Sequence, residues 1–133
     1  MLEHSDFNEN ERDLRGVPSL SLAYLGDGVY EVLVREYLVA CIGCNPHEIH
    51  IKALEYVSAP AQAAAVKKIM EHLTEEENSV FRRGRNTKVH AIPKSATAEQ
   101  YHAATGLECL FGYLYLTGQN RRIGELFDII TGE

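Results

Sequence analysis

The sequence lacks the features that mark membrane-spanning and secreted proteins. No part of its 133 residues approaches 18 consecutive apolar side chains, the length that a transmembrane helix needs. The first residues, MLEHSDFNENERDL, are polar and acidic, unlike the basic and then apolar start of a secretory signal peptide. Cysteine is scarce, and the odd number of three predicts free thiols in a reducing compartment. We therefore expect a cytoplasmic protein without a membrane span.

The chain also has little strand-like alternation, no internal repeat and no low-complexity linker. Its apolar periodicity is helical almost throughout, which predicts an all-α fold in one domain. We expect residues 1–15 to form a polar lead-in and residues 16–133 to form the folded domain. Capping residues and glycines predict six helices, over about 19–41, 47–57, 58–72, 74–84, 97–117 and 121–131.

Two of the predicted helices are apolar nearly all round and carry one acid each, and the first is expected to be central in the fold, with Asp27 in or beside the core. Asp27 is the only charged residue in 17–29, and Glu108 is the only one in 103–116. An ionised carboxylate in or beside a core is unfavourable unless a cation or hydrogen bonds stabilise it. If the two helices pack together, the two carboxylates would meet and could bind Mg²⁺ or Mn²⁺. From spacing alone, an ion pair with an arginine or a backbone cap explains each acid equally well.

A basic segment interrupts this acidic protein, whose formal net charge of −6 argues against a broadly basic nucleic-acid binder. Between residues 82 and 94, RRGRNTKVHAIPK contains five lysines or arginines and no acid. Gly84 and Pro93 predict a loop, and a basic loop is a candidate for contacting phosphates. A solvated charged loop would have the same composition. The predicted RNA contacts are the side chains Arg82, Arg83, Arg85, Asn86, Lys88 and Lys94.

Four cysteine and histidine side chains fall close together in CIGCNPHEIH. Cys41, Cys44, His47 and His50 are metal-binding residue types, but the two pairs are much closer together than in usual zinc sites. We therefore expect helix-end and packing roles for them rather than a zinc site. Cys109, beside Glu108, is expected to be a small core residue.

Acids that can bind a metal and a segment that can bind a polyanion together predict metal-assisted hydrolysis of a nucleic acid. The residues around them also resemble a known family. LAYLGDGVYEVLVREYL resembles the signature helix of the ribonuclease III family, and LECLFGYLYLTG resembles its second acidic helix. YVSAPAQA and RRGRNTK are similar to the short Mini-ribonuclease III branch, which is the catalytic domain alone. The resemblance extends over about residues 17–130.

The resemblance implies a homodimeric, all-α endoribonuclease that cuts double-stranded RNA with Mg²⁺ and leaves 5′-phosphate and 3′-hydroxyl ends. It implies that Asp27 and Glu108 are the catalytic metal ligands, because both stand at the family's motif positions. It also implies a substrate at the ends of the 23S ribosomal RNA precursor. A ribosomal protein is an accessory partner compatible with that substrate. A non-catalytic helical module that binds RNA or protein is the alternative on the same scaffold.

Two positions depart from the family's pattern. Ribonuclease III has further carboxylates where this chain has Ala23 and Thr105, so the metal site here has fewer acidic ligands. A metal ion at such a site takes more of its ligands from water or phosphate, which Mg²⁺ accepts readily. Glu31, one turn after Asp27, and the Thr105 hydroxyl are then expected to support the metal site from outside its ligand shell.

Overall fold

A computed structural model of the chain describes residue 14 and residues 16–87 and 91–132. These residues form six α-helices and no strand, which confirms the predicted all-α class. A π-helical turn, Tyr37–Ile42, follows α1, and a 3₁₀ turn, Met70–His72, follows α3. Within these ranges no helix is long and apolar enough to cross a membrane. The helices are α1 Ser19–Glu36, α2 Pro46–Val57, α3 Ala59–Ile69, α4 Glu75–Arg85, α5 Ala98–Leu116 and α6 Asn120–Thr131.

Local capping sets where several helices begin and end. Thr74 begins α4 and Thr97 begins α5 with a reciprocal capping box, as their sequences predict. Asn45 forms the same arrangement at the start of α2, and the Ser58 hydroxyl caps α3. Gly118, with a φ of +70°, follows α5 in the left-handed conformation that glycine adopts without strain. Short-range hydrogen bonds therefore set where four of the six helices begin, whereas α1 and α6 start without a side-chain cap.

The core is built around α5, which packs against α1, α3, α4 and α6. The residues of α5 from Ala104 to Leu114 are buried, except for the half-buried Glu108 and Tyr113. Cys109 is fully buried among them, which confirms its predicted place in the core. Because α5 contacts four other helices, its few polar side chains lie where several elements meet.

Helices α1 and α5 cross in direct backbone contact. A Cβ atom added at Gly26 would lie 1.6 Å from the Glu108 carbonyl oxygen, and one at Gly112 would lie 2.0 Å from the Leu22 carbonyl oxygen. No side chain fits in either place, so the crossing requires glycine at both positions. The contact also places Asp27, the residue after Gly26, at the level of Glu108 along α5.

A second close contact corrects the prediction of a loop at Gly84. Helix α4 continues to Arg85, and Gly84 is buried inside its last turn. A Cβ atom at Gly84 would lie only 2.6 Å from the Cβ of Cys109, so this glycine lets α4 approach α5 closely. Arg82 and Arg83 are consequently held on a helix end rather than on a loop.

One face of α1 is not covered by the described part of the chain, although its apolar sequence predicts a central helix. Leu20, Tyr24 and Val32 are 47%, 86% and 54% exposed. Asp27 is also exposed, whereas the sequence places it in or beside the core. The prediction was wrong because an apolar sequence does not show whether a helix face is covered by its own chain.

The two glycines that flank Asp27 provide a matched pair of variants. Gly26→Ala pushes a methyl group into the α5 backbone and should lower the free energy of unfolding by about 3 kcal/mol. A Cβ atom at Gly28 meets nothing within 4 Å, so Gly28→Ala should raise it by about 0.5–1 kcal/mol through helix propensity. Urea denaturation measures both, and equal destabilisation would contradict the backbone contact.

Candidate active site

The crossing of α1 and α5 brings the two predicted acids together. Asp27 follows Gly26, which contacts the backbone of Glu108. The side chains of Asp27 and Glu108, here called the acid pair, lie within hydrogen-bonding reach of each other. Asp27 is exposed and Glu108 is half-buried, so the acid pair opens to solvent on the Asp27 side. The predicted meeting of the two carboxyls is confirmed, and their catalytic role stays a prediction.

A third polar side chain, Gln62 on α3, reaches the acid pair. It is 2% exposed and lies within hydrogen-bonding reach of the Glu108 carboxyl. Sequence reasoning misses Gln62, because a glutamine at the start of an alanine-rich helix is ordinary. The available signal was its spacing, since Gln62 lies on the same helical face as Val66 and Ile69, both buried.

The surroundings of Glu108 disfavour its ionised form. Burial, the charge of Asp27 and the hydrogen bond with Asp27 raise the pKa of Glu108 to about 8, against the opposing effect of the Gln62 amide. No arginine or lysine among the described residues contributes to this pKa. The ion pair with an arginine, one of the alternatives for Glu108, is therefore not found there. Two facing carboxyls without a counter-charge can instead be stabilised by a metal cation.

The acid pair is a small ligand set, and its chemistry fits a particular class of metal. Among the described residues, no three His, Cys, Asp or Glu side chains come close enough together to hold an ion. Mg²⁺ is commonly held by one or two carboxylates and keeps several water ligands, so the acid pair suits it.

The two cysteines of the CIGCNPHEIH segment lie at the end of the π-helical turn and just beyond it. Cys41 is exposed and Cys44 is half-buried.

The two residues expected to support the metal site make other contacts. Glu31 forms an ion pair with Arg35, one turn further along α1, with 2.9 Å between Oε1 and Nη2. Thr105 is buried, and its hydroxyl donates a 3.0 Å hydrogen bond to the Tyr101 carbonyl oxygen in its own helix. Neither contact involves the acid pair. A supporting role for these two residues stays a prediction.

The last turn of α4 presents three arginines, Arg82, Arg83 and Arg85, on the surface. Positive charge is favourable at this end of a helix because the unpaired carbonyl groups there carry partial negative charge. Arg83 donates a 3.2 Å hydrogen bond to the Val17 carbonyl oxygen, just before α1. Its charge also acts on Cys109, the residue that follows the glutamate of the acid pair. The basic turn therefore lies near the elements that carry the acids.

The remaining predicted RNA contacts follow α4. Asn86 ends the helix, and its side-chain oxygen accepts a 3.3 Å hydrogen bond from Nε of Arg85. The Arg85 guanidinium lies 5.7 Å from the centre of the Phe81 ring, a favourable cation–π distance. Lys94 is exposed in the segment that leads to α5. Lys88 lies outside the described residues.

The chain is similar to proteins of known family. Residues 20–119 match the family model described as the Ribonuclease III domain. The chain is 51% identical over 110 residues to Mini-ribonuclease 3 from Symbiobacterium thermophilum, covering 83% of this chain and 85% of that protein. It is 44% identical over 119 residues to Mini-ribonuclease 3 from Enterococcus faecalis, covering 88% and 90%. A crystal structure of a Fusobacterium nucleatum protein superposes with a TM-score of 0.82 at 31% identity, covering 92% and 98%.

The raised pKa of Glu108 should make the stability of the metal-free protein depend on pH. Folded Glu108 keeps its proton up to about pH 8, whereas the unfolded chain loses it near pH 4.5. The free energy of unfolding should therefore fall as pH rises between these values. Glu108→Gln stays neutral and should gain stability relative to wild type from pH 5 to pH 8, measured by urea denaturation with EDTA. A difference between the two proteins that is constant with pH would contradict this assignment.

Proposed function

Because the chain belongs to the ribonuclease III family and is an endoribonuclease, we propose that it cuts double-stranded RNA by Mg²⁺-dependent hydrolysis at the acid pair. The observation that carries this proposal is the meeting of Asp27 and Glu108 at a solvent-facing site to which the described residues bring no cationic side chain. Mn²⁺ is the alternative ion, because carboxylate and water ligands suit it as well. Membership of a family of endoribonucleases disfavours the alternative of a non-catalytic module.

In the proposed mechanism, the two acids have different parts. Mg²⁺ held by the acid pair would supply an activated water molecule and stabilise negative charge on the scissile phosphate. Asp27 is exposed, so it can hold the ion where substrate also reaches it, while Glu108 holds it from the protein side. Since a carboxyl must lose its proton to bind a metal, Glu108 would have to give up its proton to hold Mg²⁺ at neutral pH. The proposed products have 5′-phosphate and 3′-hydroxyl ends.

The basic last turn of α4 is the proposed contact for the RNA backbone. Duplex RNA is recognised mainly through phosphates and 2′-hydroxyl groups, which arginine side chains can contact without reading base sequence. The Arg83 hydrogen bond to Val17 keeps this turn beside the start of α1, the helix that carries Asp27. Asn86 and Lys94 would extend the same contact surface, and Lys88 belongs to the same segment of the chain.

A second copy of this chain is the proposed partner for the open face of α1. Besides the exposed apolar side chains of α1, Ile51 and Leu54 on α2 are 72% and 61% exposed. Exposed apolar side chains mark interaction surfaces, and a two-fold dimer uses the same surface on both subunits. Two acid pairs related by the dimer axis would cut both strands of a duplex.

The proposed biological substrate is the paired ends of the 23S ribosomal RNA precursor. The similarity of 83% and 88% of the chain to two Mini-ribonuclease 3 proteins supports this proposal. A ribosomal protein that holds the precursor in its cuttable form is a compatible accessory partner. Cleavage would take place in the cytoplasm, where the precursor is assembled.

Asp27→Asn tests the catalytic assignment because it removes a charge and little volume. Cleavage of a long RNA duplex in Mg²⁺ should fall by about a hundredfold or more. Duplex binding in EDTA should stay close to wild type, and urea stability should not fall, because Asp27 is exposed and its charge disfavours ionised Glu108. Asp128→Asn, which changes another exposed acid, on α6, is the matched control and should cut normally. Cleavage by Asp27→Asn at the wild-type rate would refute the assignment, and single-stranded and hybrid substrates test duplex specificity.

Changing Arg83 and Arg85 to alanine tests the proposed RNA contact. Binding to duplex RNA should weaken, and the slope of log affinity against log salt should become shallower by about one for each arginine–phosphate pair that the substitutions remove. Filter binding at several salt concentrations, in the Asp27→Asn background, measures this slope. Arg121→Ala, an exposed arginine on α6, is the control. An unchanged slope would exclude the end of α4 from the RNA interface.

A further inference from the structure

Apart from tyrosine and cysteine, three polar side chains are buried in the part of the chain that the structure describes, namely Gln62, Glu77 and Thr105. Glu77 is bound by Arg122, with 2.8 Å between Oε2 and Nε, and the Thr105 hydroxyl donates within its own helix. Gln62 differs from both, because its Oε1 atom is buried and has no hydrogen-bond partner there. A buried acceptor without a partner is unfavourable for folding, so Gln62 needs another explanation.

The Gln62 side-chain amide is held in one place. Its Nε2 donates a 3.1 Å hydrogen bond to the Val57 carbonyl oxygen, where α2 ends. The backbone N–H of Gln62 donates to the Ser58 carbonyl oxygen at 2.9 Å, within the capped first turn of α3. The same side-chain amide lies within hydrogen-bonding reach of the Glu108 carboxyl. Because Oε1 belongs to this amide, the unpartnered acceptor also lies close to the acid pair.

An amide has useful chemistry beside a carboxylate that must ionise. Its N–H group stabilises the anion of Glu108 and opposes the effects of burial and of Asp27. Being neutral, it adds no charge that would compete with or repel a metal. Its carbonyl oxygen can accept a hydrogen bond from a water ligand, the kind of outer contact that orients the ligands of metal sites.

We propose that Gln62 is a positioning residue of the acid pair. It holds the Glu108 carboxyl toward Asp27 and offers Oε1 to a water molecule in the metal's coordination shell. This inference rests on the proposed function, because it assigns the acid pair to a metal. It also explains why α3, which carries neither acid, contributes a buried polar side chain to this place.

A purely structural role for Gln62 makes a different prediction. If its amide only ties α3 to the end of α2 through Val57, replacing it should lower stability and leave metal binding unchanged. If it positions Glu108, replacing it by an apolar side chain of similar length should weaken metal binding. The hydrogen bond to Val57 is lost in both cases, so metal affinity, and not stability, separates the two roles.

Gln62→Met is the test variant, and Gln119→Met is its matched control. Gln119 lies between α5 and α6, where its Nε2 donates a 2.7 Å hydrogen bond to the Thr117 hydroxyl oxygen. For Gln62→Met, calorimetric titration with Mn²⁺ in the absence of RNA should show about tenfold weaker binding. With duplex RNA, the Mg²⁺ concentration for half-maximal cleavage should rise by a similar factor, with KM for RNA within twofold of wild type. Gln119→Met should match wild type in both measurements.

Two results would overturn the proposal. One is Mn²⁺ affinity and Mg²⁺ dependence within twofold of wild type in Gln62→Met. The other is a lower melting temperature of Gln62→Met with unchanged metal affinity, which would mean that Gln62 only joins α3 to the end of α2. Gln62→Leu repeats the measurements if the methionine variant does not fold. A wild-type protein that cuts no duplex would refute the proposed function, whereas the Mn²⁺ titration would still decide the role of Gln62.

Discussion

The backbone contact between α1 and α5 is the constraint on which the site depends. Where Gly26 meets the Glu108 carbonyl and Gly112 meets the Leu22 carbonyl, neither helix can slide along the other without a clash. Asp27 adjoins one of these contacts, and Glu108 is part of it. The separation of the two carboxyls is therefore set mainly by the main chain, and less by flexible side chains. Rigid support of this kind is what a metal or catalytic site requires.

Among the described residues, Glu77 and Glu108 have their pKa values shifted by burial and by neighbouring groups, and the two environments differ in electrostatic character. Burial alone would raise the pKa of Glu77, but hydrogen bonds from Arg122 and Thr74 outweigh it and hold that pKa below its usual value. Burial and Asp27 act together on Glu108 and raise its pKa to about 8. Glu77 is a satisfied partner that joins α4 to α6. Glu108 is an acid whose charge the described protein does not balance, which is typical of functional sites.

Helix starts such as Thr74 and Thr97 could be predicted from sequence, because a cap acts through hydrogen bonds within a few residues. The lone acids could be found for a similar reason, since one charge stands out in an apolar helix. Gly84 and Gln62 could not be assigned, because their roles depend on α5 packing against them. The exposure of Asp27 depends in the same way on a helix face that the described residues leave open.

Asp27 shares α1 with that uncovered apolar face, which includes Tyr24 and Val32. An α-helix is a stiff rod, so whatever covers the face is connected to Asp27 without an intervening loop. An assembly formed through it would carry both acid pairs on helices that touch, and the spacing between two incisions would be a fixed length. Such an enzyme would cut the two strands of a duplex at a separation that its own assembly sets.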